Sequence, residues 1–177
     1  MNLYMTTGTI NYFLKAKEEN AGQFFLNGSG NRGLAYYEAD ESKRLFNSGD
    51  YYEIKDSKGE LSDENTMLVT HLNVSSQRSA MARATIMDII DGIDNMPGVK
   101  AYRTAKKRDN YSYVILIQFA NSDAYKEFEK SELYEKTLSQ EAMQRLRDME
   151  SAFSNANSKA YYVPIKDIDE DDLEEEF

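Results

Sequence analysis

The sequence lacks several residue types and so excludes several kinds of protein. It has no cysteine, no tryptophan, two prolines and one histidine. Without cysteine the chain cannot form disulfides, thiolate metal sites or a cysteine nucleophile. It has no apolar run of about 18 residues, so we expect no membrane-spanning helix. Its first residues lack a basic leader followed by an apolar stretch, which argues against a signal peptide and favours a cytoplasmic protein.

Basic residues are also scarce. The 177 residues include 21 Lys and Arg against 31 Asp and Glu, a net charge of −10. Residues 166–177 (KDIDEDDLEEEF) hold eight acidic residues and one lysine, which leaves about −3 for the rest of the chain. We expect this segment to be a disordered, self-repelling tail. No basic stripe is available to meet phosphates, so we expect no nucleic-acid binding.

The composition that remains is that of a folded protein. Hydrophobic residues make up 41% of the chain and include 13 Tyr and 8 Phe, enough to bury a core. Residues 1–60 contain short strand-like runs and one helix, and we interpret them as a small α+β module. A polar stretch separates them from residues 65–165, which we interpret as a second, more regular domain.

The most informative stretch is residues 111–134 (YSYVILIQFANSDAYKEFEKSELY). Residues 113–119 are β-branched, aromatic or aliphatic with one interruption, which predicts a strand. Because the run is apolar on both faces, we expect a central strand covered on both sides. Ser122 or Asp123 can cap a helix directly after it.

The second domain has a recognisable order of elements. Strands are predicted at 66–74, 99–104, 113–119 and 159–165, a helix at 77–94, and helical segments from 122 to about 153 that are broken near Ser139. This β-α-β-β-α-β order is the ferredoxin-like arrangement, so the fold class is α+β. One sheet with helices on one face leaves the other face bare. We therefore expect a homodimer that pairs these faces through Val114 and Leu116.

Several segments resemble one protein family. They are YMTTGT (4–9), FL (13–14), YYEI (51–54), MPGV (96–99), YVIL (113–116) and DAY (123–125), with Phe128, Ser131 and Tyr134. In this order they resemble the haem-degrading monooxygenases of the HmoB type and their relative, the target of RNAIII-activating protein (TRAP). The resemblance implies an antibiotic-biosynthesis-monooxygenase (ABM) domain, which is a ferredoxin-like dimeric α+β barrel, behind a short N-terminal α+β module.

The resemblance also implies a haem pocket, but the residues at its key positions differ. Haem-degrading members use an Asn, a Trp and an iron-ligating His, and the matching positions here are Thr70, Phe119 and Leu138. Leu138 has no lone pair for iron, so the expected axial ligand is absent. Thr70 can still donate a hydrogen bond, and Phe119 can still pack on a flat ring.

The remaining candidates are aromatic residues and the single histidine. We expect Tyr111, Tyr113, Ile115 and Tyr125 to line a groove suited to a flat apolar ligand such as haem. His71 follows Thr70 on a strand, so it should point to the opposite, dimer-facing side. An interface histidine is favoured there over a metal ligand, and no metal site is predicted.

Two classes of function stay open at this stage, and a third is weaker. The chain is either an ABM-type monooxygenase with a divergent pocket, or a non-catalytic, TRAP-like dimeric protein that binds a ligand or acts in stress or regulation. The third class is a sensor that uses the same pocket for a small ligand.

Overall fold

The computed structural model describes residues 1–40, 44–146 and 157–174. The strands are β1 (Asn2–Thr9), β2 (Phe25–Ser29), β3 (Arg32–Ala39), β4 (Asp50–Lys58), β5 (Thr66–Asn73), β6 (Val99–Lys106), β7 (Ser112–Phe119) and β8 (Ser158–Pro164). The helices are α1 (Ile10–Glu19), α2 (Ser79–Ile93), α3 (Ser122–Glu129), α4 (Glu132–Thr137), α5 (Gln140–Arg145) and α6 (Glu170–Glu174).

The eight strands close into one antiparallel barrel in the order β1-β3-β2-β8-β5-β7-β6-β4. This confirms the predicted α+β fold class. The strands of the N-terminal part and those of the second part lie in the same barrel, because β4 pairs with β6 and β2 pairs with β8. Helices α2 to α5 cover one outer side of the barrel, and α1 covers the other.

The two-faced strand predicted at the centre is β7, which lies between β5 and β6. Its residues alternate between two cores, as the period of two in a strand requires. Ile115 and Ile117 point outward into a core under α2 to α5, which we call the helix-side core. Val114 and Leu116 point into the barrel.

The expected dimer interface is covered within the chain. Val114 and Leu116 are fully buried among Leu3, Leu34 and Tyr52, all of which come from the N-terminal strands. The prediction that this face pairs with a second chain is therefore wrong. Its apolar surface is already satisfied by residues that sequence analysis had assigned to a separate module. A homodimer through another surface stays a prediction.

One end of the barrel is closed by a buried hydrogen-bond network. Gln118 Nε2 donates to the Tyr36 hydroxyl at 2.8 Å, and that hydroxyl donates to Asn27 Oδ1 at 2.6 Å. Gln118 Oε1 accepts from the Ser62 backbone N–H at 2.9 Å and from Asn65 Nδ2 at 3.1 Å. Buried polar groups need such partners, and here they tie the 62–65 loop across the end of the barrel.

Other expectations have mixed outcomes. The predicted break near Ser139 is confirmed between α4 and α5, and a further break at Ser131 separates α3 from α4. Residues 147–156 lie outside the described ones. Within the predicted tail the structure has a turn at Ile165–Asp167 and the short helix α6. The disorder of residues 166–177 and the domain boundaries at 60 and 65 stay predictions. No helix in the described part of the chain is long and apolar enough to cross a bilayer.

Candidate functional site

The three positions that were predicted to match haem-site residues are buried on the side of the sheet that faces the helix-side core. Thr70, Phe119 and Leu138 are 1%, 1% and 0% exposed. Thr70 pairs with Ile115 across the β5–β7 ladder, and Leu138 ends α4 on the same side of the sheet. The Thr70 hydroxyl has no hydrogen-bond partner. Phe119 pairs with Thr66, four residues and so about 13 Å along β5 from Thr70, and the three side chains are therefore packed on one side of the sheet without forming one pocket.

A lysine that sequence analysis missed lies beside Thr70 and Leu138. Lys159 on β8 lies directly opposite Thr70 in the strand pairing. Its ammonium donates to the Leu138 carbonyl oxygen at 2.5 Å and to the Tyr134 hydroxyl at 2.6 Å. It also lies 4.7 Å from the centre of the Tyr134 ring. The ammonium thus caps the carboxyl end of α4, where a positive charge is stabilising.

The predicted ligand-lining residues do not form one groove. Tyr113, Ile115 and Tyr125 are buried in the helix-side core. Tyr111 lies in the β6–β7 loop and is 39% exposed. The centre of its ring is 5.1 Å from the ammonium of Lys106. Tyr125 donates its hydroxyl to Glu129 at 2.8 Å, and burial together with that carboxylate raises the pKa of Tyr125 well above its usual value.

These residues do not fit a haem. Leu138 has no donor atom, and the Lys159 ammonium would face a ferric iron with a like charge. Burial raises the pKa of Tyr113 and Tyr125, so neither phenol is a ready phenolate ligand. Within the described ranges no group of three or more His, Asp and Glu side chains could hold a metal ion.

A different cavity opens at the end of the barrel opposite the Gln118 network. We call it the barrel mouth; it has a volume of about 280 Å³. Its lining residues come from strands on both halves of the barrel and from the loop before β4: Met5, Thr6, Thr7, Leu34, Ser48, Gly49, Asp50, Tyr52, Val69, His71 and Tyr162. His71 faces this cavity, away from Thr70, because neighbouring residues on β5 alternate between the two sides.

A glycine shapes the mouth. The 47–50 loop crosses the edge of β1, where Gly49 has a φ of 101°. A Cβ atom at Gly49 would lie 2.5 Å from the Met5 carbonyl oxygen. Only glycine combines this backbone conformation with so close an approach. The loop therefore holds Asp50 at the rim of the cavity.

The polar groups in the mouth are uncharged donors beside one ion pair. Burial lowers the pKa of His71 below 6.5, with Asp50 opposing and Lys107 reinforcing the shift. Burial, together with Asp50, raises the pKa of Tyr52 to about 12. Lys107 Nζ lies 2.8 Å from Asp50 Oδ1 and 5.6 Å from the centre of the Tyr52 ring. His71 is thus a neutral imidazole and Tyr52 a protonated phenol near neutral pH.

Some polar side chains that line the mouth are paired with each other, such as Thr6 with Ser48 at 3.3 Å, and three others can meet a ligand. Among the described residues, no hydrogen-bond partner reaches the His71 ring nitrogens, the Tyr52 hydroxyl or the Tyr162 hydroxyl. Tyr52 is only 4% exposed. Its hydroxyl is not among the buried polar atoms that lack a partner, so it stays accessible and can donate to a ligand oxygen. The geometry therefore favours binding.

Sequence analysis did not find the barrel mouth. It placed His71 on the correct side of its strand but assigned that side to an interface. The signal that would have found the cavity is the closure of the barrel, which brings β1 and β4 to the same end as His71 although neither strand pairs with β5. No local pattern carries that information.

Sequence comparison finds relatives that are named as signal transduction proteins. The chain is 23% identical over 167 residues to a Staphylococcus epidermidis protein named "Signal transduction protein TRAP", covering 94% of this chain and 99% of that protein. A Staphylococcus aureus protein of the same name is 21% identical over 165 residues, covering 93% and 98%. The resemblance expected from the sequence is thereby confirmed. No protein-family model matches the chain.

Comparison with solved structures supports the same fold. A staphylococcal structure described as a major regulator of pathogenesis has a TM-score of 0.79 at 21% identity, covering 93% of this chain and 99% of that one. A haem-degrading enzyme from Listeria monocytogenes has a TM-score of 0.69 at 16% identity, covering 93% and 100%. The chain therefore shares its fold with haem-degrading and TRAP-named proteins.

Proposed function

We propose that this chain is a non-catalytic binding protein with a regulatory role, of the TRAP kind, and not a haem-degrading monooxygenase. It keeps the barrel and the surrounding helices of the haem-degrading proteins. The helix-side core, where the family resemblance places the haem, is filled by this chain's own side chains. Similarity along nearly the whole length to proteins named for signal transduction supports the regulatory part of the proposal.

One observation carries the proposal. The Lys159 ammonium is bonded to the Leu138 carbonyl oxygen, at the position where the family has its iron-ligating His. An ammonium group next to a ferric iron would be repelled by the like charge. Moving the ammonium away would leave the carboxyl end of α4 without its cap. Haem binding would therefore require several buried groups to rearrange together.

Titration with haemin tests the proposal. We expect no Soret band shifted to the position of a ligated haem, and no loss of the haem spectrum when ascorbate and oxygen are added. The comparison variant is Leu138→His with Lys159→Met, which restores an imidazole and removes the competing ammonium. That variant should bind haemin more tightly than the unmodified chain.

The opposite result is equally clear. Tight haemin binding by the unmodified chain, followed by rapid bleaching under ascorbate, would overturn the proposal. His71→Asn would then show whether the single histidine supplies the iron ligand from the barrel side.

The proposal includes two further expectations. The lack of cysteine favours a cytoplasmic location, and the resemblance favours a homodimer, which would have to use a surface other than the barrel interior. Sedimentation of the full chain at micromolar concentration tests the second expectation.

A further inference from the structure

We propose that the barrel mouth is a binding site for a small aromatic carboxylate. The ring system would lie inside the cavity against Val69, Leu34 and Met5. The carboxylate would lie at the rim, within reach of Tyr52, His71 and Lys107. This site is on the opposite side of β5 from the helix-side core, so binding at the barrel mouth can be tested independently of haem binding.

The shape of the barrel makes the mouth a blind cavity. The Gln118 network closes the far end, and Leu116, Met67 and Val69 fill the middle of the barrel. A volume of about 280 Å³ is near the lower limit of small-molecule sites. A ligand of one or two rings suits this space.

The walls suit an aromatic body. The rings of Tyr52 and Tyr162 line the cavity together with the aliphatic side chains of Leu34 and Val69. Aromatic side chains pair with other rings in offset or edge-on arrangements that add to the gain from apolar burial. Both phenols also keep a free hydroxyl, which can donate to an oxygen at one end of the ligand.

The rim supplies positive charge in a chain whose net charge is −10. Three basic residues (Arg44, Lys107 and Arg108) and two acidic ones (Asp50 and Asp109) line a hollow of about 190 Å³ that adjoins the mouth and shares Gly49 and Asp50 with it, so its side chains carry a small positive excess. Lys107 is held at 2.8 Å from Asp50, whose side chain is 58% exposed. A ligand carboxylate can replace the Asp50 carboxylate beside this ammonium and gain a charge-assisted hydrogen bond.

The single histidine provides a direct readout. Naphthoate is titrated into the full chain while the His71 imidazole signal is followed by NMR as a function of pH. We expect saturable binding, and a rise in the pKa of His71 when the site is full, because the bound carboxylate favours the imidazolium. Naphthamide, the neutral analogue, should bind at least about tenfold more weakly.

Two substitutions in the rim ion pair should act in opposite directions. Lys107→Met should raise the Kd of naphthoate about tenfold, because it removes the cation and leaves Asp50 to repel the ligand. Asp50→Asn should lower that Kd, because it removes the competing carboxylate. Lys55→Met is the matched control. Lys55 is exposed on β4, the strand that also holds Asp50, and it lines neither cavity.

The outcomes separate the parts of the proposal. Equal affinity for naphthoate and naphthamide would overturn the carboxylate assignment. Absence of saturable binding, or binding that leaves the His71 signal unchanged, would overturn the site itself. A result in which Lys55→Met weakens binding as much as Lys107→Met would show a general charge effect and would also overturn it.

Discussion

Thr70 and His71 are neighbours in the chain, yet their side chains lie in different compartments of the molecule. Thr70 pairs with Ile115, which belongs to the helix-side core, and His71 pairs with Val114, which lies inside the barrel. One wall of β5 thus faces the helix-side core. The other wall faces the barrel mouth. Side chains fill the helix-side core, whereas the barrel mouth is an open cavity.

We predict that acidification destabilises the protein through His71. Burial lowers its folded-state pKa below the unfolded value of 6.5, against the opposing effect of Asp50 and with the help of Lys107. The unfolded chain therefore binds a proton that the folded chain does not, so the free energy of unfolding should fall as pH drops below about 6.5. Above that pH the histidine contributes no pH dependence.

Denaturant unfolding of the unmodified chain and of His71→Asn between pH 5 and 7.5 measures this. The variant should lose the part of the slope that comes from the histidine. The prediction fails if both proteins show the same slope, or if NMR gives His71 a pKa above that of a free histidine.

We predict that Gln118→Leu destabilises the barrel by about 2–3 kcal/mol. The amide of Gln118 satisfies the Tyr36 hydroxyl, the Ser62 backbone N–H and the Asn65 amide, and leucine can satisfy none of them. Urea unfolding provides the measurement. Gln140→Leu, at an exposed helix position, is the control and should leave the midpoint unchanged.

We predict that Arg103→Met lowers the free energy of unfolding by a similar amount. Arg103 is 6% exposed, and its guanidinium donates to both carboxylate oxygens of Glu38 at 3.1 Å and to the Lys58 and Gly59 carbonyl oxygens. Removing it leaves a partly buried carboxylate and two carbonyls unpaired, at a cost of about 2–3 kcal/mol. Glu38→Gln, which keeps an acceptor, should cost less. A smaller loss for Arg103→Met than for Glu38→Gln would contradict the assignment.

Sequence reasoning predicted the elements that a local pattern encodes. The strand at 113–119 is apolar on both faces and so had to be covered on both sides, as β7 is. The stripe of Ala82, Ile86 and Ile89 predicted α2 to within two residues at its start. The positions of Thr70 and His71 on opposite faces followed from the alternation of a strand.

The same reasoning failed where distant segments meet. Nothing in the sequence of β7 says whether Val114 and Leu116 pack against a second chain or against Leu3 and Leu34 of the same chain, because both solutions bury the same apolar face. Lys159 was missed for the same reason. Its bond to the Leu138 carbonyl depends on the register of β8 with β5, which no local pattern specifies.

This ambiguity gives the last prediction, which concerns a fragment that begins at Leu61 and lacks β1 to β4. The fragment would expose Met67, Val69, Val114 and Leu116, all now buried inside the barrel. Each such side chain is worth about 1.5–3 kcal/mol when removed from water, so the fragment should cover the face by pairing with a second copy or by aggregating. Light scattering should show particles at least twice the fragment mass. Leu116→Asp in the fragment should abolish the pairing, because a carboxylate at that face would be buried without a partner. A monomeric, folded fragment would mean that the N-terminal strands are dispensable as a cover, and the two halves would then be separate domains after all.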